Sequence, residues 1–139
     1  MNYVGCTSIT NDTIVKVTEN KSSFSVENKA KKDIKKLSVD GCLITGNKER
    51  CDWILYQDSP NKKAFYVELK GCDVLKGMSQ LSATLKETEK VFSDYKKECF
   101  LISTRVPRHT PALDKKKRQF FKDTGLRVNI TNQRHTARF

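Results

Sequence analysis

Three residues in the middle of the chain have the types and spacing of a phosphodiester-cleaving site. Glu68 and Lys70 flank Leu69 in the run Phe65-Tyr66-Val67-Glu68-Leu69-Lys70, and Asp52 opens the run Asp52-Trp53-Ile54-Leu55-Tyr56. An acid two residues before a lysine is common in this lysine-rich chain, recurring at Glu19, Glu27, Asp33, Asp94 and Asp114. Only the copy at Glu68 interrupts a strongly apolar, β-prone segment whose residues ought to be buried.

Both runs read as strands. The intervening Asp58, Ser59, Pro60 and Asn61 have turn composition, so the segment predicts a β-hairpin. With a strand period of two, Glu68 and Lys70 project from one face, about 6–7 Å apart, while Leu69 packs on the other. A turn centred near Pro60 and Asn61 sets Asp52 across from Glu68 or Leu69, bringing two carboxylates within reach of a common ion. Mg²⁺ relieves the repulsion between such carboxylates, with Mn²⁺ as a substitute. It is a hard cation held by one or two carboxylates, waters and substrate phosphate. A metal-bound water of lowered pKa and an adjacent lysine then favour hydrolysis of a phosphodiester. The bland alternatives are a strand-initiating Asp52 and an exposed Glu68–Lys70 ion pair.

These residues resemble the PD-(D/E)XK nuclease superfamily: Cys51-Asp52-Trp53, then Val67-Glu68-Leu69-Lys70-Gly71, then Gln80 in the next helix. The resemblance implies a restriction-endonuclease-like core over residues ~38–103, with elements in the order α, β, β, β, α, β. It makes Asp52, Glu68 and Lys70 catalytic, and Asp52, Glu68 and the Leu69 backbone carbonyl metal ligands. It also places Gln80 on the helix beside the site. Cys51 stands where the founding motif has proline. The family usually draws a further acid from an element before the sheet; Glu27 and Asp40 compete for that role.

Around the hairpin the patterning predicts an α/β (α+β) domain, a central mixed sheet flanked by helices, in one unit of residues 1–139. Its core is expected over ~38–130, with a β-rich extension over 1–37. Strands are expected at Ile14–Val17, Phe24–Val26, Ile34–Ile44, Cys99–Ser103 and Leu126–Ile130, with a turn at Asn28–Lys32. An apolar stripe at Val74, Met78, Leu81, Leu85, Thr88 and Phe92 predicts a helix to Phe92. Thr110 and Pro111 open a second helix that runs through Phe121, and Gly125 closes that connection. From residue 40 onward the order expected is β, β, β, α, β, α, β.

Lys and Arg number 27 against 16 Asp and Glu, for a net charge of +11, which favours a polyanionic partner, nucleic acid first among them. Lys115, Lys116, Lys117 and Arg118, with Arg105 and Arg108, are candidates to grip its phosphates; a solvated helix face is the alternative, as a frayed end is for the basic tail at 134–138. Trp53 reads better as core than as a base-stacking residue.

The five scattered cysteines support neither a zinc site nor a disulfide framework, and Cys42, Cys51 and Cys72 read as small buried thiols in a reducing compartment. No apolar run approaches the ~20 residues of a membrane span. The N-terminus lacks signal-peptide character, which predicts a cytoplasmic protein, and nothing calls for an organic cofactor. The reading is a Mg²⁺-dependent endonuclease with DNA the favoured substrate, specificity coming from loops, a partner or a homodimer. The alternatives are a non-catalytic nucleic-acid-binding module and a subunit of a larger assembly.

Overall fold

The strand-forming runs pair into two sheets, in a computed structural model that describes residues 1–70, 73–105 and 108–139; the side chain of Lys70 is also outside the described residues, as is Cys72. In chain order the elements are α1 (Tyr3–Cys6), β1 (Thr7–Thr10), β2 (Ile14–Glu19), β3 (Ser22–Glu27), β4 (Ile34–Ser38), β5 (Trp53–Gln57) and β6 (Lys63–Lys70). They continue with α2 (Val74–Glu87), β7 (Lys96–Ser103), α3 (Pro111–Thr124), β8 (Val128–Asn132) and β9 (Arg134–Ala137). The main sheet has six strands in the order β1-β4-β5-β6-β7-β8. Its pairs are antiparallel from β1 to β6 and parallel from β6 to β8, because α2 and α3 carry the chain back between β6, β7 and β8.

The result is a mixed α+β fold, but helices cover one face only. Met78, Leu81 and Leu85 of α2, with Leu113 and Phe120 of α3, pack on Ile54, Tyr66, Cys99 and Leu101. The opposite face is covered by a second sheet of order β2-β3-β9, not by a helix as expected. Alternation explains it: Val15, Val17, Phe24 and Val26 point inward from the β2–β3 hairpin onto Leu55, Phe65, Val67, Leu69, Phe100 and Ile102. Phe24 packs its ring 4.8 Å from Phe100 and 6.0 Å from Phe65, and Phe139 stacks on Phe65.

Several boundaries differ from expectation for local reasons. Residues 1–37 divide between the sheets, since β1 and β4 pair in the main one. The strand expected to reach Ile44 ends at Ser38. Val39–Ile44 instead turns back on itself, with Gly41 at φ 78° and a bridge between Asp40 and Ile44. Only two strands therefore lie between residue 40 and α2, and a ninth strand follows β8. Its residues are the basic tail, which lies parallel to β3 as β9 rather than frayed.

Helix α2 starts where the Asp73 side chain accepts from the Lys76 N–H, and it stops at Glu87, short of Phe92. There the Thr88 hydroxyl bonds the Thr84 carbonyl and Tyr66 Oη, and the following turns deliver Phe92 to the core. Helix α3 has the expected Thr110 cap and ends at Gly125 in the left-handed region.

The cysteines also correct the sequence reading. Pairing of β1 with β4 brings the end of α1 beside the turn after β4, and Cys6 is joined to Cys42 in a disulfide. Cys51 and Cys99 are buried thiols. No helix among the described residues is long and apolar enough to cross a membrane.

Candidate functional site

The hairpin register ends with Trp53 opposite Val67, and Asp52, just before it, bonds the same Val67. Trp53 pairs with Val67 and Gln57 with Lys63, so residues 58–62 form the turn, and one step beyond Trp53 the Asp52 N–H bonds the Val67 carbonyl at 3.2 Å. Strand β5 ends there while β6 continues. The next β6 backbone groups facing β5 are those of Leu69, by strand alternation, and they have no ladder partner on that side. The Asp52 carboxylate takes the place of one, its Oδ2 accepting from the Leu69 N–H at 2.7 Å. The Leu69 carbonyl faces the same side, which is the direction its expected role as a ligand requires.

A second acid reaches Asp52 from the other layer. Glu19 ends β2, two and four residues beyond the inward-facing Val17 and Val15, so the same alternation turns it toward the main sheet. Its charge is one of those that raise the Asp52 pKa, although its own side chain is exposed. Burial is the largest influence on Asp52 and raises its pKa from 3.8 to about 6; the Leu69 N–H opposes this, and the charges of Glu19 and Asp40 add to it. Asp40 is also tied to Arg50, with Nε to Oδ1 at 2.9 Å. Among the described residues, no basic side chain pairs with Asp52 or Glu19.

Glu68 approaches from the helix side. It is 3 % exposed, and its Cγ lies 3.5 Å from where a Cβ on Gly77 of α2 would stand. Leu101 Cδ1 is closer still to that point, at 2.7 Å, so the helix sits this near Glu68 because residue 77 has no side chain. Glu68 also lies close enough to raise the pKa of the Cys51 thiol, after burial and against a hydrogen bond with Thr84. Thr84 Oγ1 accepts from the Cys51 N–H at 2.7 Å and so fixes the residue before Asp52 to α2. Gln80 is one helical turn from both Gly77 and Thr84, half-buried, and its Oε1 is buried without a hydrogen-bond partner among the described residues.

Asp52 thus stands at the end of β5 on the Leu69 N–H, within electrostatic reach of Glu19 and Asp40, with Glu68 on the helix side of β6 and Gln80 on the covering helix. The side chains reach this place from both sides of the sheet rather than one. Among the described residues, no three acidic, cysteine or histidine side chains are grouped to hold a metal ion. Lys70 continues β6 opposite Ser103, and the role expected of its side chain lies outside the described residues.

Of the two upstream acids considered, Asp40 lies within electrostatic reach of Asp52. Glu27 pairs with Ile14 at the far end of the β2–β3 hairpin from Glu19, roughly 17 Å away at the rise of a strand, and is bound to Arg138 at 2.7 Å. The sequence pattern predicts a strand that ends at Val17, and Glu19 lies two residues further. Continuing the alternation puts this acid on the same face as Val17, at the exposed end of the strand.

The basic residues expected to meet nucleic acid are spread over α3 and the segment before it. Arg105, Arg108, Lys115 and Arg118 are exposed, Lys117 is half-buried, and Lys116 Nζ is 2.6 Å from Ser79 Oγ, which ties α3 to α2. Trp53 is half-buried against the second core with Lys36 Nζ 5.5 Å from its ring centre. Comparison with protein families, curated proteins and solved structures gives no match to this chain.

Proposed function

We propose that this protein is a Mg²⁺-dependent endonuclease of restriction-endonuclease-like fold, acting on nucleic acid with DNA the favoured substrate. One observation carries the reading: a half-buried Asp52 carboxylate, oriented by the Leu69 N–H, with the charges of Glu19 and Asp40 acting on it and no basic side chain among the described residues paired to it. Buried like charges are costly unless paired or bound to metal. Oxygen donors at the end of a strand suit Mg²⁺. The order β4-β5-β6-α2-β7 also agrees with the β, β, β, α, β of the PD-(D/E)XK core, although the element before it is a β-hairpin instead of a helix.

Asp52 and Glu19 would hold the cation, with Glu68 and the Leu69 carbonyl contributing from β6. When bound, Mg²⁺ supplies an activated water and neutralises charge on the phosphate. Below about pH 6 the surroundings of Asp52 favour its neutral form, so a cation there would compete with a proton. Gln80 orients polar groups at the helix side of the site, and Lys70 stabilises the negative charge of the transition state.

The test is incubation with supercoiled plasmid, single-stranded DNA and RNA, in Mg²⁺ and in EDTA. Cleavage that needs Mg²⁺ and falls at least 100-fold in Asp52→Ala, Glu68→Ala and Lys70→Ala proteins of unchanged circular dichroism supports the enzyme. The absence of a three-acid group among the described residues favours, as a second reading, a nucleic-acid-binding module without catalysis. That reading predicts binding that Asp52→Ala leaves intact and no cleavage of any of the three substrates.

A further inference from the structure

The exposed face of the β2-β3-β9 sheet plays no part in the acidic cluster, yet it shares a hairpin tip with it. Alternation that sends Val15 and Val17 inward sends Lys16 and Thr18 outward. In register across the sheet they form two rows, Lys16–Ser25–Thr136 and Thr18–Ser23–Arg134. These residues border a groove of about 470 Å³ that Lys21 closes at the hairpin tip. Cations and hydroxyls dominate its wall, and no acid lines it. The one acid in the outward rows, Glu27, is bound to Arg138 beyond the groove.

We infer that this groove binds the sugar–phosphate backbone of the nucleic acid and leads it past the acidic cluster. The inference deepens the nuclease reading, on which the choice of nucleic acid as the polyanion rests. Lys16, Lys21 and Arg134 supply charge, and the Ser and Thr hydroxyls supply short donors suited to phosphate oxygens. No aromatic ring lines the groove except that of His135, which stacks on the buried Phe24 at 6.0 Å, so bases find no stacking platform there. Contacts of this kind hold a backbone without reading its sequence.

Position connects groove and cluster. The Ser22 hydroxyl bonds the Ile102 carbonyl at 3.3 Å and the Gln133 N–H bonds the Ser103 carbonyl at 2.6 Å, which pins the end of the groove to the end of β7. Ile102 pairs with Leu69, whose N–H holds Asp52. At the hairpin tip Glu19 lies within electrostatic reach of Asp52, while Lys21, two residues on, lines the groove. The α3 face is a weaker candidate, because Lys116 is engaged with Ser79 and the adjoining cavity also contains Glu49, Glu89 and Asp123.

The experiment is fluorescence anisotropy of the full chain with labelled single-stranded and duplex DNA of one sequence, in EDTA at several salt concentrations. The triple variant Lys16→Gln, Lys21→Gln, Arg134→Gln changes exposed side chains only, and thermal melting verifies its fold. It should bind at least tenfold more weakly, with the slope of log affinity against log salt reduced by roughly 2–3. The control Lys115→Gln, Lys117→Gln, Arg118→Gln should retain most of the affinity. Equal binding by the groove variant and wild type, or an equal loss in the control, overturns the inference. So does a groove-dependent affinity for heparin or anionic vesicles with none for DNA or RNA. Failure of the nuclease reading looks different: wild type then binds through the groove but cleaves nothing in Mg²⁺.

Discussion

Asp52→Asn should make the metal-free protein more stable at neutral pH while abolishing its cleavage. Asn retains the oxygen that accepts from the Leu69 N–H and removes only the charge. The wild-type carboxyl has its pKa raised from 3.8 to about 6 by burial and by Glu19 and Asp40, so the ionised form costs folding about 3 kcal/mol at ~1.4 kcal/mol per pH unit. Between those two values the folded state binds the proton more tightly than the unfolded chain does. Wild-type stability from this residue is therefore intact below about pH 4, falls as pH rises, and reaches its full penalty above about pH 6.

The variant escapes that loss. At about 3.4 °C per kcal/mol for a chain of this size its Tm should exceed wild type by up to ~10 °C at pH 8, and the gap should close at pH 4. Differential scanning fluorimetry from pH 4 to 8 reads it directly. Millimolar Mg²⁺ should raise the wild-type Tm at pH 8 and leave the variant unmoved, because a ligand stabilises only the state that binds it. A variant no more stable than wild type at pH 8, or a gap independent of pH, refutes the account of Asp52 as a charge awaiting a cation.

Glu19→Gln should return the Asp52 titration toward the ordinary carboxyl range, since it removes one like charge and supplies an amide donor; carboxyl ¹³C NMR against pH measures it, and an unmoved midpoint would detach Glu19 from the site. Gly77→Ala should cost about 1–2 kcal/mol by urea unfolding despite the better helix propensity of alanine, because the new methyl meets Leu101, which is fully buried and has no open space to swing into. Stabilisation by that change would mean α2 stands further from Glu68. Cys6→Ser opens a loop of 36 residues and should lower stability by about 4 kcal/mol in non-reducing buffer. Dithiothreitol should bring wild type to the variant's Tm, and indifference of the wild type to the reductant would show that the bridge does not form.

The amino-acid sequence by itself determined whatever rests on short-range periodicity and turn chemistry. Alternation in Trp53–Gln57 and Lys63–Lys70 around a Pro-Asn turn specifies the register that pairs Trp53 with Val67 and leaves Asp52 at the end of the hairpin. Thr110, Pro111 and Gly125 delimit α3 because each meets a backbone requirement of a helix end. The stripe of α2 marks its buried face, though not its end, since Thr88 stops the helix by bonding to Tyr66 of a strand.

Tertiary structure alone decided what covers the second face of the sheet and which acid joins Asp52. Strand β9 pairs with β3 across more than a hundred residues, Cys6 reaches Cys42 only through the β1–β4 pair, and Glu19 comes within electrostatic reach of Asp52 only when two sheets stack. Local pattern shows which residues face inward; it cannot show what they will face, because that follows from the joint burial of apolar surfaces distant along the chain.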